Sequence, residues 1–142
     1  MRKIFALIIV CFAVFLTSCT TTTTTRKQID VALTDIDKVG QKLSEFLTAE
    51  NINITGQEVT TNRKDVTNVT LELNITIING QNIPTNDGEK RALGKSIARV
   101  IKEHLEDQNK FEIYRVRFEN RFENSFMATS RHKTYTFNST EL

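Results

Sequence analysis

Apolar residues follow three different patterns along this chain, and each pattern predicts a different element. Residues 4–16 form an unbroken apolar run behind Met1-Arg2-Lys3. Over residues 26–48 the apolar positions are Ile29, Leu33, Ile36, Val39, Leu43, Phe46 and Leu47, at the intervals of three and four that mark one helix face. Thr25 with Gln28 makes a capping box at its start. Val69, Leu71, Leu73, Ile75 and Ile77 then alternate with Thr70, Glu72, Asn74 and Thr76, which predicts a strand with one core face and one polar face. An extended stretch at 52–61 and a polar turn at 62–65 precede it. Residues 79–88 form a loop around Gly80, Pro84 and Gly88.

A second helix is predicted over 89–107, with the stripe Leu93, Ile97, Val100, Ile101 and Leu105 and a capping box of Asn86 and Glu89. Two further strands, 111–122 and 126–137, meet near Asn124-Ser125. The order is αββαββ. A strand with one solvated face is normally antiparallel. The expected fold class is therefore α+β: a two-layer sandwich with a four-stranded antiparallel sheet and both helices on one face, in a permuted ferredoxin-like arrangement. In that arrangement the second strand of each hairpin lies centrally. Gly40 and Gly94 fall at matching places in the two helices, which suggests an internal repeat and a close backbone approach at both. The element order is partly similar to that of BON domains, periplasmic αββαβ modules. The glycine pattern of those domains is missing before the second helix, so no family is assigned to this domain.

The apolar run at the start is too short for a membrane span, which needs roughly 20 residues, and its basic flank is that of a secretory signal. It leads into Leu16-Thr17-Ser18-Cys19. That sequence resembles the lipobox of bacterial lipoproteins. The resemblance implies cleavage between Ser18 and Cys19, a diacylglyceryl thioether on Cys19 and an acylated amine. It divides the chain into a signal peptide (1–18), a lipidated Cys with a threonine tether (19–25) and one α+β domain (26–142). By resemblance to the enterobacterial lipoprotein sorting rule, Thr at position 20 in place of Asp implies outer-membrane sorting. The lack of an acidic cluster there favours the periplasmic face.

Cys11 leaves with the signal and Cys19 is capped, so the mature domain carries no thiol. That suits an oxidising compartment and excludes cysteine nucleophiles. Without Arg2 and Lys3 the chain has 17 basic and 17 acidic side chains, so no basic footprint for nucleic acid exists. The charge is uneven: residues 20–88 carry 6 basic and 9 acidic groups, and residues 89–142 carry 11 and 8.

His104 and His132 are too few for a metal centre, and a half-buried structural place is expected for His104. Asp35 and Asp37 do not share a helix face. Sequons at Asn53, Asn68, Asn74 and Asn138 follow from Asn- and Thr-rich composition. No catalytic motif is present, so no enzyme and no cofactor beyond the lipid on Cys19 are expected.

The last hairpin supplies the candidate partner-binding residues: Arg115, Arg117, Arg121, Phe122, Phe126, Met127, Arg131 and Lys133. If paired numbers sum to 248, Arg115 faces Lys133 and Arg117 faces Arg131, and an anionic partner would relieve the crowded charge. Phe122, Phe126 and Met127 would form an aromatic knob at a protruding tip. Arg and aromatic residues are favoured interface anchors. The expectation is a membrane-anchored periplasmic lipoprotein, a binding or accessory subunit that meets an envelope protein. An inhibitor of a hydrolase or toxin and a binder of anionic glycan or lipid head groups are the alternatives.

Overall fold

A computed structural model describes residues 22–64, 66–124 and 127–142. The signal peptide, Ser18, Cys19 and Phe126 lie outside the described residues. The elements are β1 (Thr22–Ile29), α1 (Ile36–Ser44), β2 (Asn51–Arg63), β3 (Val66–Ile78), α2 (Asp87–Glu103), β4 (Ile113–Asn124) and β5 (Met127–Asn138), with a short 3-10 turn at Ser139–Glu141. They form one sheet in the order β1-β2-β3-β4-β5. All neighbours are antiparallel except β3 and β4, which run parallel.

The expected four-stranded antiparallel sheet is therefore corrected on two counts. The sheet has five strands, and it is mixed. The fifth strand is β1, made from the threonine run and the start of the segment read as a helix. Threonine is a poor helix former, but its branched side chain fits a pleated strand. Thr22–Arg26 pairs with Arg63–Val59, so most of the expected tether belongs to the fold.

The first helix begins at Ile36, not at residue 26. Asp35 is its N-cap, and its carboxylate accepts from the Lys38 amide at 3.0 Å. A carboxylate so placed satisfies an orphan N–H and faces the positive end of the helix. A Cβ at Gly40 would have no neighbour within 4 Å, whereas one at Gly94 would stand 3.6 Å from the rings of Phe118 and Phe137. The two halves are not equivalent.

The second correction has a simple cause. Alternation reports that one face is buried and does not report strand direction. The α2 crossover lets β3 and β4 run parallel. Both helices lie on the same face, so the other face stays in water. Of the four strands expected, the two at the centre are β3 and β4, and β5 is an edge.

The core lies between the helices and one sheet face. Leu73, Ile75 and Ile77 of β3, Tyr114 and Val116 of β4, and Ile97 and Ile101 of α2 are essentially inaccessible. Val39 and Leu43 of α1 join the same cluster. Asn86 caps α2, accepting from Gly88 and Glu89 at 2.8 and 3.3 Å. His104 ends that helix with its ring 2.8 Å from the Val100 carbonyl.

The strands are staggered. β4 meets β3 only over Glu72–Ile78, paired with Ile113–Glu119. Beyond Glu119, β4 and β5 pair only with each other, as a two-stranded ribbon.

Candidate functional site

Successive strand side chains point to opposite sides. Because Leu73, Ile75 and Ile77 face the helices, Glu72, Asn74 and Thr76 face the uncovered side. The register then fixes its polar lattice. Thr55, Asn74, Arg115 and Thr136 form one row across β2 to β5, and Asn53, Thr76, Arg117 and Thr134 form the next. Glu119 and His132 are opposite each other one row further on. Thr55, Gln57, Asn74, Thr76, Arg115, Arg117 and Thr134 line a shallow depression of about 350 Å³ in this face.

Two carboxylates organise the cations. Glu72 is buried and takes a two-pronged grip from Arg115, whose Nε and Nη2 donate to its two oxygens at 2.8 and 2.7 Å. The hydrogen bonds from Arg115 hold Glu72 below the usual carboxylate range against the opposing effect of burial, and the Arg115 pKa rises in return. Glu119 is also buried and serves two guanidiniums. Arg121 Nε donates to Oε1 at 2.7 Å, and Arg117 Nε lies 3.0 Å from Oε2. The Arg121 hydrogen bond, followed by the charges of Arg117, Arg121 and His132, holds Glu119 low.

The Arg117 N–H is not aligned on the Glu119 oxygen. Its Nε is buried without a hydrogen-bond partner, and so is the Nδ2 of Asn74, on the neighbouring strand and in the adjacent row. A buried polar group left unpaired costs about 1–3 kcal/mol, so two in one depression single it out. Both atoms are donors, so an acceptor would suit either. One carboxylate shared by two guanidiniums leaves the positive charge in excess.

The expected hairpin register is corrected. The strands pair with numbers summing to 251, so Arg115 faces Thr136 and Arg117 faces Thr134. An odd shift moves one strand's side chains to the other face. Lys133 and Arg131 therefore leave the arginine face, and the like-charge pairs do not form. Lys133 pairs with Asp87 at 3.1 Å on the helix side, where the Tyr135 hydroxyl also donates to Asp87 at 2.6 Å. These bonds, Tyr135 first, lower the Asp87 pKa. Arg131 is exposed opposite Asn120.

Of the expected tip residues, Phe122 and Met127 are 68% and 63% exposed on the ribbon. The seven described candidates thus divide: Arg115, Arg117 and Arg121 share the open face, and Phe122, Met127, Arg131 and Lys133 stand on the helix side. Asn74, Thr76 and Thr55 join the site without having been singled out. The signal for Asn74 and Thr76 was the polar phase of the β3 alternation.

Among the described residues no cluster of three or more His, Cys, Asp or Glu could hold a metal ion. None of the described helices is long and apolar enough to cross a membrane. The chain matches no family model, no curated protein and no solved structure.

Proposed function

We propose that this chain is a lipid-anchored, non-enzymatic binding subunit of the bacterial cell envelope, on the periplasmic face of the outer membrane. It holds an anionic group of its partner on the open sheet face. The observation that carries the reading is the buried Nε of Arg117, ion-paired to Glu119 but without a hydrogen bond, on the strand next to Asn74, whose Nδ2 also lacks one. An incoming carboxylate or phosphate would pair both donors and meet the charge that Glu119 only half neutralises. The surrounding Thr55, Thr76 and Thr134 hydroxyls suit the polar remainder of such a ligand. The lipid anchor rests on the Leu16-Thr17-Ser18-Cys19 resemblance.

Binding fits this site better than catalysis does. Glu72 and Glu119 are both held ionised by arginines, so neither keeps a proton to donate near neutral pH. The site can attract and orient an anion.

Chemical-shift titration of the soluble domain tests the reading, with galacturonate, inorganic phosphate and neutral galactose as probes. The anions are expected to shift the Asn74 side-chain amide and the Arg117 Nε–H, with weakening at higher salt. Arg117→Gln is expected to remove the response. Equal shifts with galactose, or an unchanged response in Arg117→Gln, would refute the anion site.

A further inference from the structure

We propose that the lipid-anchored chain stands end-on, with the β2–β3 turn against the bilayer and the β4–β5 ribbon projecting away from it. The inference rests on the lipid-anchor reading above and does not depend on the anion site.

Only Thr20 and Thr21 separate Cys19 from Thr22, the first residue of β1. Three peptide steps span at most about 11 Å. A lipid on Cys19 therefore holds the Thr22 corner of the sheet at the membrane surface. Thr22 pairs with Arg63, and Lys64 begins the turn into β3. That end meets the head groups whatever the tilt of the domain.

The tilt follows from where the exposed apolar side chains lie. Val66 and Val69 are 57% and 53% exposed beside this turn. They sit at even and odd positions of β3, hence on opposite faces of the sheet. Lying flat on either face would bring one of them to the bilayer. Only the end-on approach brings both. This end of the sheet is also uncovered, since residues 22–28 and 66–69 are exposed.

β4 runs parallel to β3 and passes its end by five residues, from Glu119 to Asn124. At about 3.3 Å per residue the ribbon tip stands roughly 55 Å from the turn. The anchor and tip are thus at opposite ends of the molecule, and the open face with Arg117 is between them.

The test uses the acylated full chain in vesicles of phosphatidylethanolamine and phosphatidylglycerol doped with a head-group nitroxide lipid. A fluorophore is placed on Lys64→Cys, on Val66→Cys as a second turn site, or on Ala128→Cys in the ribbon. Intact mass reports the lipid on Cys19 independently. The expected result is a lipidated mass with strong quenching at 64 and 66 and none at 128. A lipidated mass with quenching at 128 equal to that at 64 would show a flat-lying domain and overturn the orientation. An unlipidated mass would overturn the anchor reading, and the orientation with it.

Discussion

Replacing Arg115 with Met removes both prongs of the grip on Glu72 while keeping the length of the side chain. Glu72 is left buried and charged, with its side chain 8% exposed. Breaking a fully buried pair costs about 3–5 kcal/mol. Arg115 is 39% exposed, so water already screens part of this interaction, and about 2 kcal/mol is the reasonable figure. With an unfolding entropy of about 2.1 cal/mol/K per residue over roughly 120 residues, the melting temperature falls by about 8 °C.

The pH dependence carries a sign. Glu72 has a folded pKa below the ordinary value of 4.5, so its stabilising contribution is complete above that value and is lost as pH falls through the folded pKa. The gap between wild type and Arg115→Met should be wide at pH 7 and close in acid, where protonated Glu72 needs no cation. Glu72→Gln added to Arg115→Met should recover much of the loss, because no charge stays buried. The assay is calorimetry at several pH values. A melting gap of less than about 2 °C at pH 7, or one that does not narrow in acid, would refute the assignment of Arg115 as a structural cation.

Three further outcomes follow from the packing. Tyr114 and Tyr135 are pushed up to about 12, each by burial first, then by Asp107 for Tyr114 and by the Asp87 hydrogen bond for Tyr135. Spectrophotometric titration should show no tyrosinate near pH 10, and a one-tyrosine step there would contradict the structure. Gly56→Ala places a Cβ 2.8 Å from Ile29 Cγ1 and 2.9 Å from the Ile29 carbonyl oxygen. It should cost about 1–3 kcal/mol and speed amide exchange in β1. Ile97→Ala, in the fully buried core, should cost about 2–5 kcal/mol by chemical denaturation, whereas Phe122→Ser on the exposed ribbon should change stability by less than about 0.5 kcal/mol.

The sequence made some elements legible because their physics is local. The alternation at Val69–Ile77 and the stripe from Leu93 to Ile101 each report burial within a single element, and both are found close to where the pattern placed them. The Asn86 cap was readable for the same reason. The first helix was overextended because Ile29 and Leu33, whose spacing fits a helix, are also compatible with a strand and a loop. β1 was missed because helix propensity alone was applied to the threonines. The parallel β3–β4 pair left no local trace, since strand direction is set by the α2 crossover. The site suffered most from register. Arg115 and Arg117 were visible as candidates, but a shift of three residues in the hairpin changed every cross-strand partner. Glu72 as the partner of Arg115 could not be read from a separation of 43 residues.

We propose that the partner is held on the face around Arg117. A photo-crosslinking residue placed at Thr134, directly across from Arg117, tests it in acylated protein within native membranes, with mass spectrometry of the adduct. The expected result is one dominant adduct with a component bearing carboxylate or phosphate groups, lost when Arg117→Gln is introduced and absent when the crosslinker is placed at Lys95 on α2. An adduct from Lys95 equal to that from Thr134, or one indifferent to Arg117→Gln, would contradict it.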